Sequence, residues 1–188
     1  MVEFRPARRA DSPAIAELYQ MAAGGVADYI WSSLMEPGET LLDAGSRRFA
    51  REGEAFSYQN CMIAEDGDAV LGMVHAFPML EVSEIDDDVD PVLRPYCELE
   101  SAPSLYIAGI ACYPDARGQG IGTRLLDLTR RRAMSEGLAE LSLIAFEESP
   151  AAVRLYLREG FEIVDRRAIV AHELIRYGGD ALLMTEAL

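Results

Sequence analysis

Residues 105 to 122, Leu-Tyr-Ile-Ala-Gly-Ile-Ala-Cys-Tyr-Pro-Asp-Ala-Arg-Gly-Gln-Gly-Ile-Gly, constrain the fold more than any other stretch. An apolar run of strand character reaches a Tyr-Pro-Asp turn, passes through a glycine-rich loop and enters a helix. Gly118, Gly120 and Gly122 alternate, so backbone N–H groups there can approach a ligand with no Cβ in the way. A helix beginning near Ile121 aims its unbonded N–H groups and positive dipole end at the same spot. The pattern predicts either an anion cradle, for which phosphate is the usual occupant, or an ordinary glycine-rich turn between strand and helix. The neighbouring residues decide.

A phosphate loop of the Gly-Lys-Ser/Thr kind is excluded because the chain has no lysine; all 17 basic residues are arginine. A dinucleotide fingerprint needs a small residue three positions after its second glycine, and Thr123 stands there, too bulky for the close helix–strand contact. The arrangement that fits is Arg117-x-x-Gly120-x-Gly122 after a strand. A second element follows about thirty residues on, Ser149-x-x-Ala152-x-x-x-Tyr156-x-x-x-Gly160-Phe161. On these two motifs the chain resembles the GNAT superfamily of acyl-CoA-dependent N-acyltransferases, with Ser149 where the family more often has Asn. The likeness is good over residues 60 to 188 and covers the N-terminal third in outline.

Length and composition agree with an enzyme of this kind. At 188 residues and 50% hydrophobic, the chain is long enough for one globular domain with its own core, residues 1 to 188. No apolar run approaches the eighteen residues or so of a membrane span, and the first residues lack an apolar signal core, so a cytoplasmic protein is expected. Cys61, Cys97 and Cys112 form an odd, unpatterned set that suits reduced thiols. His75 and His172 lie far apart, no metal-ligand spacing appears, and no metal is expected. A net charge of −15 argues against nucleic acid or anionic membrane as partners. Yet between Ala116 and Ser135 five arginines, Arg117, Arg124, Arg130, Arg131 and Arg132, stand against Asp127 alone. That basic island suits a polyanionic ligand, while for Arg130 to Arg132 a solvated helix face serves equally well.

In chain order, a first strand at Val2 to Arg5 precedes a helix that Asp11 or Ser12 can cap, with Pro13 in its first turn. Gly24-Gly25 breaks that helix. Two more are predicted over 26–35 and 40–51, the first carrying Tyr29 and Trp31, each a candidate for substrate contact or for the core. Strands over 58–64 and 69–77 flank Glu65-Asp66-Gly67-Asp68, a hairpin signal. His75 near the end of the second strand reads as a proton acceptor or a buried structural histidine. Glu81 to Glu100 holds eight acids against Arg94 and reads as a loop insertion (about 81–103), serving as a substrate-side rim, a dimer contact or an inert connection. The strand at 104–113, a helix over 121–136, a strand at 141–146, a helix opened by Ser149-Pro150, and strands over 161–170 and 181–185 complete the chain.

The resemblance implies an α/β (α+β) single-domain fold, a mixed and mostly antiparallel twisted sheet of about six or seven strands flanked by helices. It also implies transfer of the acetyl group of acetyl-CoA to a primary amine of a small molecule or peptide. The residues placed on the cofactor are Arg117, Gly118, Gln119, Gly120, Ile121, Gly122 and Thr123 for the pyrophosphate. Ile110, Ala111 and Cys112 would pair with the pantetheine arm, and Ser149 and Tyr156 complete the set. Tyr156 is implied as the acid for the departing thiolate, and the Cys112 N–H as a donor to the oxyanion that forms as the amine adds. Where some relatives carry a glutamate base this chain has Tyr106, a poor base at neutral pH. Glu98, Glu100, His75 and Glu147 are then the candidates, Glu147 first, with proton loss through water as the alternative. Family habit and the apolar last strand imply a homodimer. Two alternatives stand beside this reading: a non-catalytic acyl-CoA-binding regulatory module, and an acyltransferase that uses a longer acyl-CoA.

Overall fold

A computed structural model describes all of residues 1–188. The elements in order are β1 (Glu3–Pro6), α1 (Ser12–Ala22), α2 (Val26–Ser32), α3 (Leu41–Phe49), β2 (Cys61–Asp66), β3 (Ala69–Met79), α4 (Arg94–Cys97), β4 (Ser104–Cys112), α5 (Ile121–Ser135), β5 (Glu140–Phe146), α6 (Pro150–Arg158), β6 (Glu162–Ala168) and β7 (Asp180–Ala187). The seven strands form one sheet in the order β1-β2-β3-β4-β5-β7-β6. The β4–β5 pair is parallel, over Leu105–Ile107, and β1–β2, β2–β3, β5–β7 and β6–β7 are antiparallel. The mixed, mostly antiparallel sheet with flanking helices is the architecture expected from the sequence. The residues group into two compact units, Met1–Phe77 with Gly109–Thr129, and Pro78–Ala108 with Arg130–Leu188.

In the first unit, α1 buries Ile15, Ala16, Leu18 and Tyr19. Neither Asp11 nor Ser12 caps this helix: the Asp11 carboxylate instead accepts from Arg5 at 2.7 Å and from the Arg8 backbone N–H at 2.6 Å. Arg5 also meets Glu65 at 2.7 Å, so one guanidinium joins β1, the turn before α1 and β2. Trp31 is fully buried, and its indole carbons lie 2.6–2.7 Å from where a Cβ on Gly45 would stand, so α3 carries glycine at the crossing because nothing larger fits. Thr40 caps α3 by accepting from the Asp43 N–H at 3.2 Å, while the Asp43 carboxylate takes the Thr40 N–H, a complete capping box. The strand expected from Tyr58 begins at Cys61. Tyr58–Asn60 is a single 3-10 turn because the Ser57 hydroxyl accepts from the Gln59 N–H, holding the chain in a turn that β-rich composition alone does not reveal.

In the second unit the acidic segment departs most from expectation. Its far half is not a loop. Arg94–Cys97 is a helical turn, and Leu99 packs with Ala181 and Leu183 in a core that Tyr96, Ile144 and Ile169 extend. The guanidinium of Arg94 donates to the carbonyls of Asp86 (3.3 Å) and Asp87 (2.8 Å), and Glu100 accepts from the Ser83 N–H at 2.6 Å. Glu98 pairs with Arg167 of β6 at 2.9 Å. No helix of the protein is long and apolar enough to cross a membrane.

Candidate functional site

The glycine loop forms the core of the site and belongs wholly to the first unit. After Cys112, Pro114–Ala116 makes one 3-10 turn whose Ala116 is buried as an anchor, and Arg117 is extended. Gly118 and Gly120 have φ of +74° and +76°, the left-handed region that glycine adopts without strain. The Arg124 N–H bonds the Gly120 carbonyl at 3.0 Å, starting the ladder of α5, so the preceding amides of Ile121 and Gly122 have no helical carbonyl to bond. Beyond the adjoining residues and the backbone of α5 itself, no atom lies within 4 Å of the Cβ positions of Gly118, Gly120 and Gly122. The helix mouth is therefore open, and a fifteen-residue helix places its dipole behind it. Gln119 braces the loop by donating to the Asp115 carbonyl at 3.2 Å, and Arg117 donates from Nε to the Cys112 carbonyl at 3.2 Å. The Tyr113 hydroxyl donates to Glu17 of α1 at 2.6 Å, and burial, with that carboxylate, pushes the phenol up from its ordinary value. Sequence reading passed over this Tyr113–Glu17 strut, since 96 residues separate the partners.

Ile110, Ala111 and Cys112 lead into the loop and are partly buried. The Cys112 sulfur lies 2.8 Å from where a Gly72 Cβ would be, so its thiol fills space on β3. Burial pushes that thiol above its ordinary value, with Arg117 only partly offsetting the effect, which disfavours the thiolate a nucleophile needs. His75 is fully buried with its Nε2 2.9 Å from the Ala55 carbonyl, the structural alternative of its two readings. It sits among rings: Phe56 at 5.0 Å, Phe49 at 5.3 Å, Phe77 at 5.5 Å and Tyr19 at 6.0 Å between centroids. Tyr19 in turn covers Gly109, its ring 2.9 Å from a Cβ there. Trp31 is core rather than a substrate contact.

The second unit carries Glu147, Ser149 and Tyr156. Tyr156 is partly buried on α6, stacks edge-on with Phe161 at 5.7 Å, and its hydroxyl makes no hydrogen bond within the protein. Burial pushes its pKa up to about 12, so it is a protonated phenol at neutral pH. Ser149 precedes α6, with φ −108° and ψ 69°, but its side chain makes no capping hydrogen bond to the helix. The Glu147 carboxylate accepts from the Asp180 N–H at 3.2 Å and lies 3.7 Å from Arg166. Arg130 is not a solvated face residue: it pairs with Glu186 at 2.9 Å and donates to the Glu159 carbonyl at 2.8 Å, tying the end of α5 to α6 and β7. Arg132 pairs along its helix with Glu136 at 2.7 Å. Of the basic island, Arg117 and Arg124 are the exposed cations at the mouth.

A mixed sheet whose β4 feeds a glycine-lined helix mouth leaves the first main-chain amides of α5 without helical partners, a setting suited to an anionic group. The sequence profile of the Acetyltransferase (GNAT) family matches residues 26–161, and the chain belongs to that family. Solved structures share the fold. A ribosomal-protein-alanine N-acetyltransferase from Brucella melitensis is 23% identical, with a TM-score of 0.63 over 99% of both chains. An N-acetyltransferase from Staphylococcus aureus Mu50 is 21% identical, with a TM-score of 0.64 over 97% of this chain and 99% of that one. A GNAT family acetyltransferase from Elizabethkingia anophelis, solved with acetyl-CoA bound, is 20% identical, with a TM-score of 0.60 over 100% of this chain and 98% of that one. No curated protein sequence matches the chain.

Proposed function

We propose that the protein transfers the acetyl group of acetyl-CoA to a primary amine. The observation that carries this reading is the open mouth at Gly118, Gly120 and Gly122, where the amides and dipole of α5 converge on space that no side chain fills. The pyrophosphate of the co-substrate lies there, with Arg117 and Arg124 beside it. Ile110, Ala111 and Cys112, past the three residues of β4 that pair with β5, offer main-chain groups to the pantetheine arm. The neutral amine attacks the thioester carbonyl, the C–N bond forms, and the C–S bond breaks with its electron pair on sulfur. The Cys112 N–H steadies the oxyanion. Tyr156 donates a hydrogen bond to the departing thiolate, and the surplus amine proton passes to Glu147. A thiol pKa near 8.5 lets the thiolate leave without taking the phenol's proton outright. Acetyl-CoA enters by binding and leaves as CoA, and the product is the N-acetyl amine.

The test couples a titration with a rate. Acetyl-CoA is titrated calorimetrically into the wild type and Gly122→Glu, and thiol release is followed with a panel of amines. Gly122 has ordinary helical backbone and open space around it, so a glutamate there disturbs no packing, improves helix propensity and favours the helix dipole. It nonetheless puts a carboxylate where the phosphates lie. The expected result is unchanged or raised thermal stability with acetyl-CoA affinity lowered by roughly tenfold or more. Equal affinity in the two proteins, or binding without turnover across the panel, overturns the proposal.

A further inference from the structure

Six arginines are partly withdrawn from water: Arg5, Arg48, Arg94, Arg130, Arg132 and Arg167. Five of them have a carboxylate within 4.0 Å: Asp11 for Arg5, Glu98 for Arg94, Glu186 for Arg130, Glu136 for Arg132 and Asp165 for Arg167. Arg48, on α3, has none. Its guanidinium carbon lies 4.3 Å from the centroid of the Phe56 ring, and the titratable groups that act on it are Arg51 and the Tyr19 phenol, which burial keeps protonated. In a chain with 32 acids for 17 arginines, a half-buried arginine with no acid is the exception that calls for a cause. Burial moves its pKa below the ordinary value, yet a guanidinium keeps its charge in a protein. The ring holds one side of the group and lowers its mobility; the N–H donors are left without an acceptor in the protein.

The position of this cation is as telling as its solitude. Phe56 packs on His75 at 5.0 Å and on Tyr19 at 5.8 Å, and Tyr19 covers Gly109, the residue before Ile110. Antiparallel register agrees: the Tyr113 N–H bonds the Leu71 carbonyl, which brings His75 of β3 beside Gly109 of β4. Arg48 therefore stands two rings, Phe56 and then Tyr19, from Gly109, which precedes the strand segment assigned to the acyl end of the co-substrate, inside the same unit.

Resting on the acetyl-transfer reading, we propose that Arg48 binds the carboxylate of the acceptor, and that the acceptor is a free amino acid. A guanidinium fork matches a carboxylate through two parallel N–H···O bonds, and the partly desolvated setting strengthens them. A zwitterion also suits the whole molecule. A net charge of −15 repels an anion, but an amino acid carries no net charge, so it meets the local cation without that opposition.

The experiment compares L-amino acids with their own carboxamides, which keep the amine and lose the carboxylate charge. Thiol release from acetyl-CoA gives kcat/KM for each pair in the wild type and in Arg48→Gln, alongside acetyl-CoA affinity and melting temperature. The expected result is that at least one free acid exceeds its amide by on the order of 10- to 100-fold, the scale of a charge-assisted hydrogen bond. Arg48→Gln erases that preference through KM and leaves acetyl-CoA affinity within about twofold. A wild type that treats every acid and amide alike, or a variant that keeps the preference, overturns the inference while leaving acetyl transfer standing. Should no amine turn over, the transfer reading fails on its own, and the Arg48 Nε–H resonance of the intact protein still decides the carboxylate site. Displacement by an amino acid but not by its amide supports it, and no displacement by either overturns it.

Discussion

Tyr156 shows how little a single side chain reveals until its surroundings are known. A phenol raised to about 12 by burial, with its hydroxyl free of any partner in the protein, is a standing donor at every physiological pH. Tyr156→Phe keeps the ring that packs on Phe161 and removes only that donor. The expected result is a fall in kcat of about 10- to 100-fold with the KM for acetyl-CoA changed by less than about threefold, read from steady-state thiol release. Unchanged kcat removes the residue from the reaction. Cys112 makes the opposite case. The sequence reading gave it a role through its backbone N–H, and its thiol rests against Gly72 and is pushed up by burial, which disfavours a thiolate there.

At the scale of elements, β1 is a four-residue edge strand paired along β2, and the Arg5 guanidinium adds a side-chain clasp that joins Asp11 and Glu65. Side-chain hydrogen bonds from Arg5 hold both carboxyls below their ordinary values. A depressed carboxyl stabilises the fold above its unfolded-state pKa and loses that contribution as pH falls through the folded-state value. The network is therefore whole at neutral pH and dissolves below about pH 4. Urea midpoints are expected to separate wild type from Arg5→Met at pH 7 and to converge toward pH 3; a gap that persists in acid refutes this account. The elements themselves were largely legible because helix and strand periods repeat over many residues. The glycine mouth was legible too, since its demand is on backbone conformation, which glycine announces. What escaped was decided by partners distant in the chain. Asp11 left its helix to serve Arg5, Arg130 left the solvent for Glu186, and the acidic segment folded its second half around Leu99. Arg48 carried no signal in the sequence at all; its meaning lies in the acid that is missing beside it.

The whole molecule carries 15 surplus negative charges, and like charges on a compact body repel. Raising NaCl from about 0.01 to 0.3 M shortens the screening length from about 30 Å to below 10 Å, so the melting temperature is expected to rise by a few degrees, as calorimetry can record. A fall would mean that the pairs around Arg5, Arg130 and Arg167 outweigh the surplus. Those pairs share one more property. Every side-chain cation in the protein is a guanidinium, which never gives up its proton and so never becomes a nucleophile. A catalyst that shelters an activated thioester is exposed to stray modification of its own amines, and each such event on a lysine erases a charge. Here the clasps at Arg5 and Arg130 are made of a group the reagent cannot touch. No side chain of the scaffold offers an amine to its own co-substrate.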